Sequence, residues 1–158
     1  MRGMDANGSA AKLDMTAKLS LLWTFAMFNY LYADVLGLFD PKVLQDVMDG
    51  TVSVVRVDLS QGFLLASAVL METAIAMVLL SRVLPYRANR WANVAVGVRH
   101  TLGVLGSMFV GSSPTAYYVF FGTIEIVCTS VIVATAWRWR LPVTAPLDDR
   151  HVAEPVHA

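Results

Sequence analysis

One cysteine in 158 residues rules out an internal disulfide, a Cys-x-x-Cys redox pair and a cysteine-rich metal site. Charge is also scarce: 15% of the side chains are charged, against about 25% in an ordinary soluble domain. Twelve bases balance twelve acids, so there is no basic surplus for a nucleic-acid partner. The sequence has no glycine-rich phosphate loop and no Gly-x-Ser-x-Gly elbow,. No internal repeat stands out, which argues against an inverted-repeat transporter built within one chain. What the chain has in excess is apolar surface. Hydrophobic residues make up 56% of it, too much for a disordered chain or a water-soluble enzyme of this size. The composition is that of a membrane protein.

Four apolar segments approach the ~20 helical residues that a bilayer core requires. They cover residues 19–39, 62–81, 91–111 and 115–137. The third is the weakest, interrupted by Asn93, Arg99 and His100. The first is too long for a signal-peptide core and carries Asn29, Tyr30, Tyr32 and Asp34 where a small-residue cleavage site would fall,, so it reads as a retained span. Helices are the economical form, because a backbone in lipid must satisfy its own hydrogen bonds. The expected fold is therefore all-α: a four-helix transmembrane bundle over residues 18–140, between flexible tails at 1–17 and 141–158. His151 and His157 lie in the second tail and read as solvated surface residues.

The basic residues set an orientation. Arg82, Arg87 and Arg90 lie between the second and third segments, Arg138 and Arg140 follow the fourth, and Arg2, Lys12 and Lys18 precede the first. The linker from Asp40 to Ser60 holds four aspartates against Lys42 and Arg56. With four spans, all three basic clusters share one side, which places both termini in the cytoplasm. In the outer linker, Asp40 suits an N-cap, Pro41 the first helical position, and Gly50 a stop,. That spacing predicts a short interfacial helix, followed by an extended TVSVVRVDLS stretch,. The linker reads either as a simple connector or as a lid over an outward-facing cavity.

Ionisable and polar groups inside the segments are the informative residues: Asn29, Tyr30, Asp34, Glu72, Arg99, His100 and Glu125. A charge at mid-bilayer costs on the order of 2.5–3.5 kcal/mol, so these groups should face the interior and one another. Counting from the helix ends at about 1.5 Å per residue puts Asn29, Glu72, Arg99 and Glu125 at ~12–18 Å, with Asp34 further out at ~22 Å. The functional reading is a proton- or ion-linked site, or a pocket for a small polar ligand, with Glu72 and Glu125 as carriers and Arg99 between them. The structural reading is a Glu/Arg/Glu knot that holds helices in register. No lysine lies in a segment, which excludes a retinal-type Schiff base. His100 is the one histidine there, which leaves no bis-histidine haem and no ordinary zinc site,. No catalytic residue, metal or cofactor is expected. Cys128 reads as a buried packing residue.

The strings Leu21-Leu22-Trp23 and Asn29-Tyr30-Leu31-Tyr32-Ala33-Asp34 resemble the first-helix signature of an uncharacterised family of small prokaryotic integral membrane proteins. The likeness continues through Glu72 with Met77–Arg82, through Tyr86–Asn93, and through Tyr118–Phe121 with Ile124-Glu125, and covers about residues 19–140. It implies a four-span protein of a bacterial inner membrane and supplies no activity or site residue. Three functional classes follow from the residues. The first is a small transporter, channel or ligand-binding protein, with lipid and a small polar ligand or proton as partners and a homo-oligomer or partner membrane subunit as its setting. The second is an accessory or assembly subunit of a larger membrane complex. The third is a membrane enzyme acting on a lipid or quinone.

Overall fold

A computed structural model describes residues 14–52, 57–109 and 115–140. Among these residues the elements are α1 (Met15–Gly37), α2 (Pro41–Met48), β1 (Thr51–Val52), β2 (Val57–Asp58), α3 (Gln61–Val83), α4 (Tyr86–Phe109) and α5 (Ala116–Arg138). The tail residues 1–13 and 141–158, with His151 and His157, lie outside the described residues.

Local chemistry explains the helix boundaries. The Asp40 carboxylate accepts the Lys42 amide at 3.0 Å, with Pro41 at the first helical position, and so starts α2,. Gly50, at φ 73°, takes the left-handed conformation just past its end,. Thr51 and Val52 then pair antiparallel with Asp58 and Val57. The Ser60 hydroxyl accepts the Phe63 amide at 3.1 Å and caps α3. Leu84, which precedes a proline, is extended (φ −71°, ψ 143°) and ends that helix,. The Asn89 amide bonds to the Pro85 carbonyl at 2.9 Å to begin α4.

The expected four-span bundle is not what forms. Three helices, α1, α3 and α5, each of 23 residues, are long and apolar enough to cross a membrane. At about 1.5 Å per residue each spans ~35 Å, more than the ~30 Å hydrocarbon core. The third expected segment, 91–111, folds as α4, which is equally long but does not meet the apolarity of a membrane crossing. The physical reason is its polar stripe: Asn89, Asn93 and His100 are buried inside the assembly, while Arg87 and Arg99 are exposed. The even span count behind two cytoplasmic termini is therefore lost, and that placement of the ends falls with it.

α1 packs between α3 and α5, α4 packs closely on α5, and α3 meets α4 far more loosely. The core comprises Leu19, Trp23, Ala26 and Tyr30 of α1, Ala74 and Met77 of α3, and Cys128, Ile132 and Ala136 of α5. Cys128 is a buried packing residue whose Sγ donates to the Leu22 carbonyl at 3.4 Å. Gly97 lets α4 approach α5: a Cβ there would stand 2.6 Å from Val133 Cγ2, the close contact that small residues give membrane helices. Large apolar side chains such as Phe25, Phe28, Leu65, Leu79 and Phe120 face outward.

A buried polar knot ties α1, α3 and α4 together. Trp23 Nε1 donates to Asn93 Oδ1 at 2.7 Å, and Ser81 Oγ donates to the same oxygen at 3.3 Å. Asn93 Nδ2 donates to Asn89 Oδ1 at 2.7 Å, and Asn89 Nδ2 donates to the Ser81 carbonyl at 2.7 Å. All four side chains are fully buried. Saturating every donor is what makes such a cluster stabilising in a low-dielectric interior.

Candidate functional site

Where α3 and α4 part, a cavity of about 310 Å³ opens among α1, α3, α4 and α5. α1 supplies Tyr30, Ala33 and Asp34; α3 supplies Phe63, Ser67, Leu70 and Met71. α4 supplies His100, Gly103, Val104 and Ser107; α5 supplies Tyr118, Phe121, Gly122 and Glu125. Each set shares one helix face, at i, i+3, i+4 spacing.

The cavity has a floor and a rim. Glu125 is 6% exposed and lies nine residues into α5, about 14 Å from its start,. His100, 3% exposed, lies beside it on α4. Its ring meets Trp23 and Tyr30 edge-on, with centroids 5.9 and 5.8 Å away. Burial, with the Arg99 guanidinium 3.4 Å away, pushes the pKa of the His100 imidazole down to about 4, which keeps it neutral,. Tyr30 is 8% exposed, and its hydroxyl is buried with no hydrogen-bond partner among the described residues. Nearer the rim, Asp34 is exposed and lies only three residues from the end of α1. There the Tyr118 hydroxyl donates to Ser107 Oγ at 2.6 Å and links α5 to α4.

Four of the residues singled out from sequence thus converge: Tyr30, Asp34, His100 and Glu125. The other three do not. Asn29 bonds its own helix, donating to the Phe25 carbonyl at 2.9 Å. Glu72 is exposed on the outer face of α3. Arg99 is exposed and donates to the Leu70 carbonyl at 3.3 Å and to the Thr73 hydroxyl rather than to an acid. The Glu/Arg/Glu core does not assemble. Counting residues gives height along a helix but not which way a side chain points, and α3 turns its Phe63–Ser67–Leu70–Met71 face inward instead of its Glu72 face. Ser67 and the aromatic pair Phe63 and Phe121 were missed. The signal available for Ser67 was a hydroxyl on the same helix face as Phe63 and Met71. Among the described residues, no three His, Cys, Asp or Glu side chains cluster closely enough to hold a metal ion.

Three helices with the length and apolarity to cross a bilayer, enclosing an acid-lined cavity with a fourth, make this a membrane protein. The chain belongs to the Family of unknown function (DUF6326), which matches residues 12–145. That range contains all five helices and every residue that lines the cavity. No curated protein and no solved structure matches the chain.

Proposed function

We propose that this membrane protein binds a small polar ligand in the cavity among α1, α3, α4 and α5, with Glu125 and Tyr30 as anchors. One observation carries the reading: a buried tyrosine hydroxyl without a partner lines the same open space as a carboxylate that receives no hydrogen bond among the described residues. Buried polar groups in native proteins are nearly always satisfied. A ~300–1,000 Å³ cleft with a few convergent polar groups is also the usual form of a small-molecule site. A ligand that accepts from or donates to Tyr30 while facing Glu125 completes both groups.

The test is access from water. In a Cys128→Ala background, Ser67→Cys is expected to react with the uncharged reagent 2-hydroxyethyl methanethiosulfonate. Ala68→Cys, one residue on and facing outward, is expected to stay unlabelled in a bilayer. Failure of Ser67→Cys to react would mean that nothing from water reaches the site, and the reading falls.

A second observation bears on the setting. Glu72 sits eleven residues into α3 and is exposed, so in a lone chain it would meet lipid at mid-bilayer, costing on the order of 2.5–3.5 kcal/mol. We infer that a second copy of the chain or a partner membrane subunit covers that face. On the likeness to prokaryotic proteins, we place the assembly in a bacterial inner membrane.

A further inference from the structure

We infer that the ligand of this cavity is a small organic cation, an alkyl- or arylammonium of about ten heavy atoms. The inference rests on the ligand-binding reading above and adds the chemical class. Charge comes first. Of the fifteen lining residues, Asp34 and Glu125 are the two acids, and no lysine or arginine is among them. Ionised together, two acids facing one cavity repel each other, and an ionised carboxylate buried as deeply as Glu125 is costly without a counter-charge. A ligand of positive charge removes both penalties at once, whereas an anion would deepen them.

The walls narrow the class. Tyr30, Phe63, Tyr118 and Phe121 line the same space, and aromatic faces attract an ammonium group through their quadrupole. The Tyr30 hydroxyl, without a partner among the described residues, adds the negative end of its dipole to the Glu125 carboxylate, which suits a positive headgroup with or without N–H donors. A bare metal ion fits poorly. Metal binding takes several converging oxygen or nitrogen ligands, and among the described residues no three ligating side chains come together. Volume points the same way: about 310 Å³ holds on the order of ten water molecules, far more than one dehydrated ion. Position then gives each acid its part. Asp34 at the exposed rim meets the cation first, and Glu125 at the floor holds it.

The experiment titrates the full chain in lipid nanodiscs with three probes of similar size: benzyltrimethylammonium, the neutral N-benzylacetamide and the anion phenylacetate. Benzyltrimethylammonium is expected to bind saturably and at least tenfold more tightly than either of the others. Glu125→Gln is expected to weaken it tenfold or more, and Asp34→Asn several-fold. Equal binding of the neutral or anionic probe overturns the inference, as does unchanged affinity in Glu125→Gln. If Glu125→Gln does not fold, Asp34→Asn at the exposed rim decides, and unchanged affinity there overturns the inference. Absence of binding by all three probes, with Ser67→Cys still labelled from water, overturns the cation class and leaves the cavity reading standing. Unlabelled Ser67→Cys removes the cavity reading itself.

Discussion

Tyr30 and Tyr118 face one cavity and differ in a single respect that can be measured. The Tyr118 hydroxyl has a partner, Ser107 Oγ at 2.6 Å, whereas the buried Tyr30 hydroxyl has none among the described residues. A net intramolecular hydrogen bond is worth about 0.5–1.5 kcal/mol, while an unsatisfied buried hydroxyl is a liability. Tyr118→Phe is therefore expected to lower the stability of the ligand-free protein by about 1 kcal/mol, and Tyr30→Phe to leave it unchanged or raise it. Reversible unfolding in detergent checks both; a clear loss in Tyr30→Phe would show that its hydroxyl already has a partner. Tyr30, Asp34, His100 and Glu125 were legible from sequence because polar groups in apolar segments turn inward to avoid lipid. Glu72 follows the same sequence logic and breaks it in the fold, because the interior face of α3 was already filled by Met71, Ala74 and Met77. A covering chain is what makes an outward glutamate tolerable, and no pattern within one sequence displays it.

At the scale of elements, α2 and its cap were written in the order Asp40, Pro41, Gly50, and formed as written. α4 was not read correctly. Its length is that of a span, but Asn89 and Asn93 serve the polar knot with Trp23 and Ser81, and that pairing joins residues up to 70 positions apart. Separations of that size leave no local periodic signal. The α4–α5 contact makes a second testable point. A methyl group at Gly97 would press within 2.6 Å of Val133 Cγ2, and overpacking of this kind typically costs about 1–3 kcal/mol. Gly97→Ala is expected to destabilise by that amount, and Val133→Ala in the same chain to restore part of the loss. Equal stability of Gly97→Ala and parent would show that the two helices do not pack this closely.

At the scale of the whole molecule, zero net charge conceals a strong polarity. Lys18, Arg82, Arg87, Arg90 and Arg138 lie at one end of the long helices, and Asp34, Asp40, Asp46, Asp49 and Asp58 lie at or beyond the other. The basic end carries an aromatic girdle of the kind found at membrane interfaces. Arg90 lies 5.7 Å over the Trp137 ring and donates to the Trp137 carbonyl at 2.9 Å. The Tyr86 hydroxyl donates to the Trp139 carbonyl at 2.7 Å. The exposed cavity acid, Asp34, lies at the acidic end, so a cation approaching from that side is drawn toward Asp34 and then Glu125. The outward Glu72 makes a prediction for the assembly: native mass spectrometry from nanodiscs should show two or more chains together, and Glu72→Leu should weaken that association. A monomer with no companion subunit would contradict it.

The most direct test of the account combines access and occupancy in one rate. Ser67→Cys, in the Cys128→Ala background, should react with 2-hydroxyethyl methanethiosulfonate, and the reaction should slow saturably as benzyltrimethylammonium is added. Lys42→Cys, exposed on α2 and off the cavity, should react at the same rate throughout. A Ser67→Cys rate that ignores the cation, or no reaction at all, would contradict the claim that this cavity is a cation-binding site.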